Sequence, residues 1–253
     1  MIKFFRKIRQ RLLAENKFSK YLMYAFGEVI LVVIGILIAL QVNNQNEIRK
    51  LKVKELDLLQ NFEKRLQTDL FVGKWFAEVN NQVTHSIDFL INHMEEDLPY
   101  ADSLKYHFGN ITSTYGVTAD FAAFKELKSI GTDIITNEHL KTSLIDYYSQ
   151  IERFAIGATK DYEKVIADAS KTLFPEHFDQ MWKTEEFKIG KIPVGEMIPN
   201  DYEQLKNDKA FMYFLKTLKN QHYVLIEIRA PGVLERNEKL LSEINKEIVN
   251  LKK

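Results

Sequence analysis

From Tyr21 to Val42 the chain is apolar almost without interruption, and after Asn43 its apolar residues thin to a stripe that returns every three or four positions. The first pattern predicts a membrane-spanning helix. Its 22 residues include one formal charge, Glu28, and at about 1.5 Å per residue they reach roughly 33 Å, the depth of a bilayer's hydrocarbon core. In that medium every backbone amide needs an internal partner, so the segment must be helical. The second pattern predicts helices that bury one face. Leu59, Phe62, Leu66, Leu70, Phe76, Val79, Val83, Ile87, Leu90 and Met94 define a helix from about Glu47 to Glu96, bent at Gly73 and ended by Leu98-Pro99.

Residues 99–118 read as a connection with a short helix. Phe121, Phe124 and Leu127 mark a brief helix that Gly131 closes. Asn137 then caps the most regular stripe in the chain, Leu140, Leu144, Tyr147, Ile151, Phe154, Ala158, Tyr162, Ile166, Ala169 and Leu173, which Phe174-Pro175 stops. Residues 175–199 hold three of the five prolines and read as an irregular insertion. Asn200 or Asp201 caps a last long helix to Glu227, which Pro231 kinks or breaks; Leu234, Leu241, Ile244, Ile248 and Leu251 resume a heptad-like, coiled-coil spacing with Asn237 at a core position. The fold class is therefore all-α: an N-terminal transmembrane helix followed by an extracytoplasmic antiparallel bundle of long helices. Its domains are a basic cytoplasmic tail at 1–20, the span at 21–42 and the bundle at 43–253.

Charge supplies the orientation. The net formal charge is zero, yet residues 1–20 carry seven Lys/Arg against Glu15, and residues 21–42 carry no Lys or Arg. The flank after Val42 has four basic residues, Arg49, Lys50, Lys52 and Lys54, so the positive-inside rule places the N-terminus in the cytoplasm and the bundle outside. A cleavable signal peptide is the main rival, but Ala39 is followed by Leu40 and Gln41 and no small-x-small triplet closes the run. Basic charge confined to one end argues against a nucleic-acid partner. The tail interleaves Phe4, Phe5, Ile8 and Leu12 with its cations, which suits anionic lipids or serves topology alone. Ten glycines favour long helices, and the absence of cysteine removes disulfides, thiol catalysis and cysteine-bound zinc.

Within the span, Glu28 is a candidate interhelical or proton site, about 10 Å from the cytoplasmic end. Gly35 and Ala39 form a small-xxx-small pair through which two copies can pack.

Two stretches carry a family resemblance. One is the leader and anchor through Asn44, with Gly27-Glu28 and the closing Gln41, Val42, Asn43 and Asn44. The other runs from Phe124 through Leu127, Lys128, Ser129, Ile130 and Gly131 to Ile135, Asn137, Leu140, Leu144, Tyr147 and Tyr148. Together they resemble DUF6090, a family of uncharacterised single-pass membrane proteins of Bacteroidetes. The resemblance implies a bacterial inner-membrane setting with the bundle in the periplasm, and makes Lys128, Ser129, Gly131 and Asn137 candidate interaction residues, but it implies no activity.

The six histidines are scattered, and no metalloprotease, EF-hand, phosphate-loop, dinucleotide or nucleophile-elbow motif is present. His177, with Glu176 and Asp179 near it, is a candidate metal position whose plain alternative is a solvated loop. No cofactor is expected. The leading reading is a non-catalytic interaction or scaffold module of the cell envelope, with an envelope protein or a second copy as partner. The alternative is a ligand-binding sensor bundle that signals through a partner, and an enzyme comes third.

Overall fold

The structure is a computed structural model. It describes residues 18–113, 116, 119–181 and 195–253. Among these the protein is helical throughout, with no strand and one isolated antiparallel bridge, Phe178 to Pro199. The chain divides into two compact units, Met1–Glu55 and Leu56–Lys253.

The first helix, α1, spans Phe18–Glu95. Within the first unit it runs through Asn43-Asn44-Gln45-Asn46 unbroken, because four amides in sequence lower helix propensity only modestly and no proline or glycine accompanies them. Here the apolar residues have no partner: Leu31, Ile36 and Leu40 are more than half exposed. The basic tail falls mostly on residues 1–17, outside the described residues.

The second unit begins with the rest of α1, which passes Gly73 without a break. The helix ends where Asp97 turns left-handed (φ 52°), with Leu98 N–H on the His93 carbonyl at 3.1 Å and Asp97 N–H on Met94 at 3.2 Å. That is a Schellman closure, and Pro99 follows it. The chain then returns along α1 through α2 (Leu104–Asn110) and α3 (Ala122–Ile130). His107 meets Ser86 at 3.0 Å, the Asp120 amide donates to Asp69 at 3.0 Å, and Asn61 donates to Glu126 at 3.1 Å, so sequence numbers rise on one side as they fall on the other. Gly131 closes α3 at φ 100°, a conformation that L side chains rarely adopt. Asn137 caps α4 (Glu138–Gln150) by accepting the Leu140 amide at 3.2 Å.

A π-helical turn at Ile151–Ala155 joins α4 to α5 (Ile156–Thr172). The helix stops at Thr172, just before Phe174-Pro175 as expected, and those two residues open a separate four-residue turn, α6 (Phe174–His177), with proline where its missing N–H costs nothing. Pro193 lies outside the described residues. Asp201 caps only a short helix, α7 (Tyr202–Lys206); the long one, α8 (Lys209–Tyr223), is capped by Asp208, whose side chain accepts the Ala210 amide at 2.7 Å. A second π-turn, Val224–Arg229, leads into α9 (Ala230–Leu251). Pro231 does not break the helix. The wider turn just before it takes up the ring and the lost donor. The buried face of α9 is Val233, Asn237, Leu240, Ile244 and Ile248, one residue round from the Leu234 and Leu241 expected, which are only half-buried.

The last helices run antiparallel to α1. Lys216 pairs with Glu95 at 2.6 Å, Lys219 with Asp88 at 2.6 Å and Lys74 with Glu238 at 2.7 Å. They also run antiparallel to α4, with Asn137 on Glu247 at 2.7 Å and Asn237 on Tyr147 at 3.0 Å. The unit is an up-down-up-down bundle whose second limb is the broken return through α2 and α3. Two hydrophobic clusters fill it. One, toward Glu95, includes Ile87, Leu90, Phe108, Phe211 and Leu215; the other, toward Leu56, includes Leu59, Phe62, Leu127, Tyr148 and Ile244.

Candidate functional site

The two clusters do not merge, and what lies between them is polar. At that level Leu70 and Phe76 on α1 are only half-buried, and the two π-turns pack against each other. A cavity of 30 Å³ is lined there by Asp69, Gly73 and Asn80 of α1, Tyr147 of α4, and Val233 and Asn237 of α9. π-Turns cost regular hydrogen bonding and recur where a helix does something besides pack.

Asn237 is 2% exposed. Its Nδ2 donates to the Tyr147 hydroxyl at 3.0 Å, while its Oδ1 meets no donor among the described residues. Burial pushes the Asp69 carboxyl above its usual range; the Asp120 amide opposes this, the Asp120 charge adds to it, and Arg65 draws it back. Arg65 is itself committed elsewhere: its guanidinium pairs with Asp120, and its Nε donates to Asn61 at 2.9 Å. Asp120 is held low, chiefly by the Ala122 amide and, against burial, by Arg65. Burial pushes both Tyr147 and Tyr148 upward, so the two phenols keep their protons.

A second polar group sits in the cluster toward Glu95. His222, 3% exposed, places Nδ1 3.2 Å from Thr84 Oγ1. Thr84 already gives its one proton to the Asn80 carbonyl at 3.0 Å, so Nδ1 carries the hydrogen and Nε2 is a bare acceptor. Nε2 finds no partner among the described residues, nor does the hydroxyl of Tyr162, whose ring centroid is 5.3 Å away. Burial pushes the His222 imidazole down to about 4, against a small upward pull from Asp88.

His177 finds Asp208 rather than Asp179. Its Nε2 lies 2.6 Å from Asp208 Oδ2, and ligand atoms of Glu176, His177 and Asp208 fall within 4.8 Å of one another. Asp208 uses its other oxygen to cap α8. Burial pushes its carboxyl up, but hydrogen bonds from His177 and the Ala210 amide overcome that and hold it low. The pair ties α6 to the start of α8, which accounts for its geometry.

None of the candidate interaction residues singled out by sequence lines the cavity. Glu28, Gly35 and Ala39 are on α1 in the first unit, Glu28 half-exposed and the other two exposed. Lys128 lies over the Phe124 ring at 4.5 Å, Ser129 is exposed, Gly131 ends α3, and Asn137 caps α4 while donating to Glu247. Asp69, Tyr147 and Asn237 escaped notice as a group because three separate helices bring them together. Asn237 alone left a trace, an amide on an apolar stripe.

The fold defines a class: an all-helical protein in which, among the described residues, one helix near the N-terminus is long and apolar enough to cross a membrane. Residues 28–113 match the model of DUF6090, described as a family of unknown function, a match that begins within the first of the two stretches that carry the resemblance. The second stretch, Phe124 to Tyr148, lies beyond the match. No curated protein and no solved structure matches the chain.

Proposed function

We propose that the chain is a single-pass, membrane-anchored interaction module of the cell envelope, with a cytoplasmic N-terminus and its helical bundle across the inner membrane. The observation that carries this reading is the apolar stretch of α1, whose most hydrophobic window is wholly unburied within the protein. Such a surface needs lipid or another helix to cover it. The seven cations of residues 1–20 supply the orientation.

The bundle's interior favours a surface role over a ligand pocket. The enclosed polar cavity between its helices is 30 Å³, against roughly 300–1,000 Å³ for sites that take small organic molecules, and the larger hollows, 470 Å³ beside Phe214 and 610 Å³ along α9, are open surface grooves. Its surface meanwhile carries large aromatics, with Tyr213 74% and Phe71 75% exposed, and aromatics are enriched where proteins meet.

In-cell crosslinking of the tagged chain at native level, followed by solubilisation and mass spectrometry, tests the proposal. A reproducible envelope partner, or a second copy, supports it. Recovery of the chain as an uncrosslinked monomer, or its release from membranes by alkaline carbonate, refutes it.

A further inference from the structure

We propose that the cavity between the two hydrophobic clusters binds one small monovalent cation of the sodium class, held by Asp69, Tyr147 and Asn237. The inference goes beyond the interaction reading and does not depend on it.

The first argument is an imbalance of donors and acceptors. Asn237 Oδ1 is buried and receives no hydrogen bond among the described residues. A buried acceptor left unmet costs on the order of 1–3 kcal/mol, and native interiors rarely tolerate one. The Tyr147 oxygen takes its bond from Asn237 and keeps a lone pair. Asp69 brings a carboxylate whose described hydrogen bond comes from a backbone amide, a neutral donor. The nearby cation, Arg65, spends its guanidinium on Asp120 and Asn61. Three oxygen-bearing side chains thus line one small space, and the one that is negatively charged has a neutral amide as its described hydrogen-bond donor.

Size and chemistry then select the occupant. A volume of 30 Å³ admits one particle about as large as a water molecule. Water alone supplies a donor to Asn237 but leaves the carboxylate charge uncompensated in a half-desolvated site. An oxygen-only donor set turns away the softer metals, which prefer nitrogen and sulfur. One carboxylate matches one positive charge. Calcium seeks six to eight oxygens, and magnesium keeps waters for which there is no room. The place in the fold is also apt, since a particle here ties α1, α4 and α9 together where the apolar core is interrupted.

The test uses the full chain in nanodiscs at pH 7, with thermal unfolding followed by circular dichroism in sodium chloride and in choline chloride of equal ionic strength. A ligand that binds only the folded state raises the melting temperature in proportion to the logarithm of its concentration once the site fills. The expected result is a rise with sodium and none with choline, lost in Asp69→Asn and Asn237→Leu. Should either variant fail to fold, Asn237→Asp decides, because a second carboxylate of the same shape shifts the onset of the rise to lower sodium. Equal melting temperatures in the two salts overturn the proposal, and are the outcome if the cavity holds water or if Asp69 is protonated. A sodium-dependent rise that survives both neutral variants, or an onset unmoved by Asn237→Asp, overturns it as well by placing the ion elsewhere.

Discussion

Acidification should destabilise the bundle through His222. In the folded protein this imidazole takes its proton only near pH 4, whereas an unfolded histidine titrates near 6.5. Above 6.5 both states are neutral and the group contributes no pH dependence. Between 6.5 and 4 the unfolded chain binds a proton that the folded chain refuses, so stability falls as pH falls. Below 4 the folded state binds it too, and the loss levels off. At 1.36 kcal/mol per pH unit, the loss between pH 7 and pH 4.5 is about 2 kcal/mol. The structural cause is specific: Nδ1 already donates to Thr84, and a proton on Nε2 would point into apolar surroundings with no acceptor among the described residues. The assay is urea unfolding of the full chain in detergent at several pH values, compared with His222→Leu. Carboxylates also titrate toward the lower end, so the difference between the two proteins isolates the histidine. If they lose the same stability between pH 7 and 4.5, or if the His222 ring titrates near 6.5 by NMR, the reasoning fails.

Three further substitutions follow from the packing. Gly109→Ala would put a methyl group 1.8 Å from the Gly195 backbone oxygen, which no side-chain rotation relieves; a loss of about 3 kcal/mol in chemical unfolding is expected, and a wild-type midpoint would show that the two backbones do not meet. Tyr147→Phe leaves the Asn237 amide without its acceptor and should cost about 1–2 kcal/mol, whereas Tyr213→Phe, 74% exposed, should cost nothing measurable in the same melt. Asn137→Ala removes the cap of α4 and the contact to Glu247, for a loss of about 1 kcal/mol that Asn137→Asp, which keeps the cap but faces the Glu247 carboxylate, should restore only in part.

Much of the fold was legible because helix formation and burial follow local rules. The stripe from Leu59 to Met94, the cap at Asn137 and the closure at Gly131 are each written in a few adjacent residues, and the structure puts them where that chemistry requires. The errors fall where two local signals compete. Asp201 and Asp208 are equally good caps, and only the packing of Leu205 and Phe211 into one cluster decides that a short helix separates them. Phe174-Pro175 fits both the end of one helix and the first turn of the next. Pro231 reads as a breaker on any local rule, since the turn that accommodates it lies upstream and has no residue signature of its own.

The candidate site was illegible for a related reason. Both π-turns insert a residue into a helix without changing its composition, and each shifts the apolar face that follows. On the middle limb the buried run Leu140, Leu144, Tyr147, Ile151 lies in one cluster, while Tyr162, Ile166 and Ala169 lie in the other. A stripe read at constant period passes over that change of partner and returns one continuous core. On α9 Val233 and Leu240 lie inward in place of Leu234 and Leu241, while Asn237, Ile244 and Ile248 are buried as the heptad spacing expects. In the uninterrupted register Leu234 and Leu241 would share the inner face with Asn237. The junction receives Asn237, inward in either register, and Tyr147 and, from α1, Asp69 and Asn80. The cavity and the second π-turn adjoin, since Ala230, which lines the cavity, follows directly on that turn. Substitutions that restore α-helical hydrogen bonding at Val224–Arg229, Pro231→Ala first among them, should therefore change the exposure of Asn237 along with the helix, a coupling that hydrogen exchange across α8 and α9 can read directly. Protection that rises at the turn while the Asn237 amide environment stays as it was would separate the two and remove the argument.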